Sequence, residues 1–170
     1  MDFLELVRSR YACRAYQPRP IEEDKLLRVL EAVRLAPSGS NRQPWKFVVV
    51  QDPEVKRRLV RACANQRFIA TAPVVVAGCG LMPDRIMSCG VPGDPVDLAI
   101  ALEHLSLAAT AEGLASCWVG AFSQDEVREV LGIPRTAKVI ELMTIGYPAD
   151  MPRAKTRKPL SEIISIDQWE

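Results

Sequence analysis

The sequence predicts an α+β protein that packs against a partner subunit, on three observations. Helix-like and strand-like apolar patterns alternate along 170 residues, yet only three or four segments read as strands. One long segment, from Asp94 to about Glu112, is rich in Ala and Leu and apolar on most of its faces. That suits a central helix or one at a subunit interface. Finally, segments near both ends carry apolar residues with no evident place to pack within one chain.

The elements follow in order. Phe3, Leu4, Leu6 and Val7 suggest a short helix with Asp2 as its N-cap. "SRYACRAYQPRP" breaks that pattern, and Pro20 with an acidic first turn opens a second helix, "IEEDKLLRVLEAVRLA". Leu26, Leu27, Leu30 and Val33 give it helical spacing, and Pro37 follows its end. "KFVVV" is a strand, and Asp52 and Pro53 lead into a charged helix, "DPEVKRRLVRACA". "APVVVAGCG" is a short unbroken apolar run and predicts a buried strand. Residues 81–95 hold three prolines and two glycines and predict a loop. The long Ala/Leu helix follows, capped by Gly113. "ASCWVGAF" is a strand and loop, Ser123 and Glu126 form a capping-box pattern for a helix through Leu131, and "AKVIELMTIGYP" is a further strand. The tail "ADMPRAKTRKPLSEIISIDQWE" is basic, then amphipathic.

The totals narrow the function. A length of 170 residues predicts one domain spanning 1–170, and 22 basic against 21 acidic residues argue against a general nucleic-acid surface. Any anion site must be built locally from a few placed cations. Five cysteines without C-x-x-C spacing and a single histidine, His104, disfavour a disulfide framework or structural zinc and fit a reducing compartment. No apolar run marks a leader or a membrane span, so the expected location is cytoplasmic. No G-x-G-x-x-G, Walker loop, G-x-S-x-G or H-E-x-x-H occurs, which disfavours a Rossmann dehydrogenase, a P-loop NTPase and a zinc protease.

Three patches carry chemistry. "RSRYACR" supplies Arg8, Arg10 and Arg14, whose planar forks suit a phosphate; as an ordinary element it is a solvated charged face. "LAPSGSNRQPWKFVVV" places Ser38, Ser40, Asn41 and Gln43 on one bend, with Gly39 permitting close backbone approach. It reads as a ligand loop or as an ornate helix-to-strand connection, with Trp45 in the core. "KTRKPL" supplies Lys155, Arg157 and Lys158, a solvated tail or the second half of the anion site. Two basic clusters at opposite ends of a nearly neutral chain can meet on a single phosphate. Among the thiols Cys89 is the expected accessible one, and Asp94 and Asp97 read as helix-start residues.

The ordered set "SRYACRAYQPRPI", "APSGSNRQPWKFVVV", "APVVVAGCG", "DLAIALEHLSLAATAEGLASCWVGAF", "LGIP", "IGYP" and "RKPLSEII" resembles the nitroreductase family of FMN-dependent oxidoreductases over nearly the whole chain. The resemblance implies a homodimer with two FMN at the subunit interface, a central mixed, mostly antiparallel sheet flanked by helices, and a C-terminal segment reaching onto the partner. It implies hydride transfer from NADH or NADPH through flavin N5 to nitroaromatic, quinone or similar acceptors. By position, Arg10, Tyr11, Ala12 and Arg14 match the phosphate and ribityl segment, and Arg157, helped by Lys155 or Lys158, the C-terminal phosphate contact. Pro37, Ser38, Gly39, Ser40, Asn41 and Gln43 match the loop beside the ribityl chain and ring, contributed by the other subunit. Val119 and Gly120 match the segment beside the reactive flavin edge, where a backbone N–H near Gly120 reaches N5 or O4. Tyr11 and Ala12 stand where many members have a basic residue and a serine, and the short 81–95 loop replaces extra helices of larger members. A non-catalytic FMN-binding or redox-sensing dimer and a dehalogenase-like flavoenzyme are the alternative functions.

Overall fold

The computed structural model describes residues 2–152 and 154–169. Four strands form one antiparallel sheet: β1 (Trp45–Val50), β2 (Val74–Gly80), β3 (Ala115–Val119) and β4 (Lys138–Gly146), in spatial order β1-β2-β4-β3. Helices cover both faces: α1 (Phe3–Ser9), α2 (Glu23–Arg34), α3 (Pro53–Ala62), α4 (Phe68–Thr71), α5 (Gly93–Ala111) and α6 (Gln124–Leu131). The sheet becomes mixed at one point, where Ala12 forms a parallel bridge with Ser116 on the outer edge of β3.

Strand alternation divides the core in two. Val74 and Val76 of β2 and Met143 and Ile145 of β4 face α2 and α5, against Val29, Val33, Leu102 and Leu105. Val75, Ala77 and Leu142 face the other way, against Leu59 of α3, Ile69 of α4 and Val127 of α6. A strand covered on both faces needs no polar alternation, which is why β2 is an unbroken apolar run and every one of its residues is buried. Gly78 is required there, because a Cβ would lie 3.0 Å from Leu98 and 3.1 Å from Leu102, where α5 presses onto the sheet.

The local signals act as their chemistry dictates. Asp2 accepts from Glu5 N at 2.8 Å, while Glu5 returns a bond to Asp2 N. Asp52 accepts from Glu54 N and Val55 N at the start of α3, and Ser123 from Glu126 N at the start of α6. Gly113 takes a φ of 73° to end α5. The His104 ring nitrogen, 3.3 Å from the Ala32 carbonyl, joins α5 to α2. Sequence periodicity does not reveal the single turn of α4 or the 3₁₀ turn over Gly39–Asn41, both too short to carry a period. Cys13, Cys63, Cys79 and Cys117 are buried and Cys89 is exposed. Among the described residues, no helix is long and apolar enough to cross a membrane.

Candidate functional site

The two basic ends of the chain meet. Residues 10–16 run along the free edge of β3, held by the Cys13 N–H donating to Ser116 O at 3.0 Å and by the Tyr16 hydroxyl donating to Cys13 O at 2.9 Å. The tail returns past this segment. A cleft of about 400 Å³ lies between them, lined by Arg10, Tyr11, Ala12 and Arg14 on one side and Asp150, Met151, Ala154, Lys155 and Arg157 on the other. A larger cleft shares Arg10, Lys155 and Arg157 and opens toward α1 and Glu103 of α5.

Lys155 fastens the tail: its ammonium donates to the carbonyls of Arg8 and Arg10, satisfying two acceptors at the end of α1. Partial burial, followed by repulsion from Arg10 and Arg157, holds its pKa below the ordinary lysine value. Four cations, Arg10, Arg14, Lys155 and Arg157, thus line one recess, an arrangement that an anion relieves. Tyr11, at the position where the resemblance implies a basic residue in many members, has its hydroxyl committed to Asp150, donating to the carbonyl at 3.0 Å. Burial, with the charge of Asp150 adding to it, raises the Tyr11 pKa, so the phenol stays neutral. Ala12 brings no hydroxyl; it lines the cleft and forms the bridge to Ser116.

The bend at 37–43 lies elsewhere in the protomer, at the start of α5. Ser40, Asn41 and Gln43 all have positive φ (54°, 53° and 50°), a conformation that non-glycine residues adopt at a cost. The bend is held by its own hydrogen bonds and by a buried ion cluster. Gln43 N donates to Ser38 Oγ at 2.8 Å, and Gly39 N donates to Asp97 Oδ1 at 2.9 Å. Arg85, from the 81–92 loop, binds Asp97 through Nη2 and lies 3.7 Å from Asp94 through Nε. Asp94 also accepts from Met82 N at 2.7 Å. The side chains of Arg85, Asp94 and Asp97 are 13%, 1% and 4% exposed. One cation faces two carboxylates, and the N-terminal dipole of α5 offsets the remaining negative charge. Gly93 is dictated by this cluster, since a Cβ there would strike the Arg85 guanidinium.

The third piece is the end of β3. The outward carbonyl of Ser116 marks the phase of the edge. By two-residue alternation the Trp118 peptide group faces the same edge, and Gly120 follows one residue past the strand. The basic 10–14 segment thus meets this edge at Ala12 and Ser116, and the strand leads from there toward Gly120. Val119 is buried and Gly120 exposed.

The sequence and the fold are similar to those of a known group of proteins. A sequence model described as the nitroreductase family matches residues 7–75 and 62–147. The chain belongs to the nitroreductase family. Among solved structures, a nitroreductase family protein from Clostridium difficile 630 is 37% identical and superimposes with a TM-score of 0.89, covering 99% of this chain and 100% of that one. An NADH dehydrogenase of Thermus thermophilus is 31% identical, over 92% of this chain and 91% of its own length. An FMN reductase [NAD(P)H] of Bacillus subtilis is 30% identical, over 93% of this chain and 70% of its own length.

In this nitroreductase-family protein Arg10, Tyr11, Ala12, Arg14, Lys155 and Arg157 come together in one cleft. Pro37, Ser38, Gly39, Ser40, Asn41 and Gln43 are not among its lining residues, nor are Val119, Gly120 and the exposed Lys158. Sequence reasoning missed Arg85 as a site-shaping residue and read Asp94 and Asp97 only as helix-start residues. The signal was the pattern "DRIMSCGVPGDPVD", in which one arginine precedes two aspartates spaced one helical turn apart, with a glycine beside them.

Proposed function

We propose that the 170-residue chain is a single FMN-binding unit that acts, as a homodimer, as an FMN-dependent NAD(P)H oxidoreductase on nitroaromatic, quinone or similar small acceptors. The observation that carries this reading is the convergence of Arg10, Arg14, Lys155 and Arg157 at one end of the edge that finishes at Gly120. The donor set fits the cofactor. Guanidinium forks from Arg10 and Arg157 would hold a phosphate in the recess, and the Gly120 N–H, without a side chain of its own, would be a donor to the flavin ring. The printed names of the related proteins, an FMN reductase and an NADH dehydrogenase, support the same assignment.

The bound flavin supplies the two-electron chemistry by exchanging hydride at N5. The chain's own residues bind, orient and shield. Lys155 pins the tail so that Arg157 stays over the recess. Ser40, Asn41 and Gln43, pre-shaped by the ion cluster, are contributed by the partner to the ribityl chain and ring. Exposed apolar side chains support the dimer: Phe3 and Leu4 on α1, and Leu160, Ile163, Ile164, Ile166 and Trp169 on the tail. The short 81–92 loop leaves the ring open to acceptors of varied shape.

Purified protein reconstituted with FMN should be yellow and dimeric by sedimentation, and should oxidise NADH or NADPH in the presence of menadione or nitrofurazone. Flavin that binds yet is not reduced by either nicotinamide would instead identify a non-catalytic binder. Failure to retain FMN would remove the assignment altogether.

A further inference from the structure

Glu141 is an unpaired carboxylate in the middle of the sheet. It faces α5, because it lies on the same side of β4 as Met143 and Ile145. Its partner on β2 is Gly78. The β3–β4 register pairs Val119 with Leu142, so the next position places Gly120 opposite Glu141. The carboxylate therefore lies between two residues without side chains, and a Cβ on Gly120 would sit 3.1 Å from Oε1 and 3.5 Å from Oε2. The vacant side-chain position at Gly120 is what gives Glu141 room, while the space over Gly78 is filled by Leu98 and Leu102.

The surrounding elements supply no counter-charge. β2 brings Gly78, β3 brings Gly120, and α5 brings Leu98 and Leu102 over Gly78. Cys117 is the titratable neighbour that feels the Glu141 charge, though burial and the charges of Arg14 and Arg10 act on it more strongly. Asp94 and Asp97, at the start of α5, are held by Arg85. Glu141 makes no hydrogen bond or ion pair among the described residues, and half-burial raises its pKa above the usual carboxylate value. An unpaired, partly desolvated charge on a central strand is destabilising, so its presence calls for a purpose.

We propose that Glu141 is the residue that sets the reduction potential of the bound flavin, by holding a negative charge directly behind Gly120 at the reactive edge. The proposal rests on the FMN assignment above and adds to it a residue that touches neither phosphate nor ribityl chain. A hydride carries two electrons and one proton, so whatever accepts it gains one negative charge. A nearby carboxylate opposes that gain and lowers the potential. A protonated Glu141 does not, so its effect fades as pH falls through its titration.

Glu141→Gln keeps the shape and removes the charge, which makes it the test. The midpoint potential of bound FMN is measured by redox titration across pH for wild type and variant. At neutral pH the Gln variant should have the higher potential, and the two curves should converge in acid, where the wild-type carboxyl is neutral. Curves that superimpose at all pH values overturn the proposal while leaving the FMN assignment intact. Protein that binds no FMN overturns both. Should the Gln variant fail to fold, Glu141→Asp draws the charge back by one methylene. It should then give a smaller upward shift, and an unchanged curve again overturns the proposal.

Discussion

The bend at 37–43 and the tail at 150–169 are both assigned to flavin binding, yet they are held in opposite ways. The bend is locked within its own protomer: three positive-φ residues are kept in place by Gly39–Asp97 and by the buried Arg85 cluster. The tail is fastened at Lys155, and its apolar side chains range from 54% exposed at Ile164 to 97% at Trp169. One region is pre-organised before any partner arrives, and the other has its apolar surface still to bury. Under the proposed assignment, a site assembled from both would need the dimer for its completion but not for the shape of its polar loop.

The largest effect should come from breaking the lock. Arg85→Ala leaves Asp94 and Asp97 buried without their cation, and removing one partner of a buried ion cluster costs about 3–5 kcal/mol. Chemical denaturation should record a loss of that size. A change below about 1 kcal/mol would mean that the bend keeps its shape without the cluster.

The next effect concerns the other region. Arg10→Ala or Arg157→Ala removes one charge-assisted phosphate bond and should weaken FMN binding by about 1.5–3 kcal/mol each, read by fluorescence quenching titration. Stability without FMN should barely change, since Arg157 is exposed and, among the described residues, donates locally to Thr156 O. Unchanged FMN affinity in both variants would refute the phosphate assignment.

The same contrast explains what was legible in the sequence. The strands and long helices were readable because burial leaves a period: Val74–Gly80 is apolar throughout because helices cover both of its faces. The basic clusters were readable as candidates, because an arginine with no helical stripe to join stands out. Their meeting was not, since it depends on the tail folding back to place Lys155 on the carbonyls of Arg8 and Arg10. Arg85 and Glu141 were hidden for a different reason. In sequence each is an ordinary charged residue in a loop or strand. Only the register that sets Glu141 between Gly78 and Gly120, and the loop path that buries Arg85, give them a role.

A smaller effect returns to the bend. Ser40 has φ 54° and ψ 27°, which glycine adopts without the penalty of a Cβ. Ser40→Gly should relieve about 1 kcal/mol of local strain, offset in part by the greater entropy of the unfolded chain. Net stability should change by less than about 1 kcal/mol in thermal denaturation, while FMN affinity falls if the Ser40 side chain serves the ligand. Equal affinity would confine the ligand contacts of the bend to its backbone and to Asn41 and Gln43.

The smallest effect is a pH dependence at the point where the tail is fastened. Burial, then Arg10 and Arg157, depress the Lys155 pKa. In the window between that value and the ordinary lysine value, the unfolded chain binds more protons than the folded one, so stability without ligand rises slightly with pH. Phosphate in the recess reverses the balance, because its negative charge favours the ammonium and raises the pKa. Binding FMN should therefore take up a fraction of a proton in that window. Affinity should be full below the depressed pKa and decline as pH rises through the higher pKa of the complex. Calorimetric titrations in buffers of different ionisation enthalpy measure the uptake directly, and Lys155→Met should abolish it. Proton uptake that persists in the methionine variant would assign the linkage to another group. Uptake that is absent in wild type would place the phosphate away from the residue that joins the tail to the body.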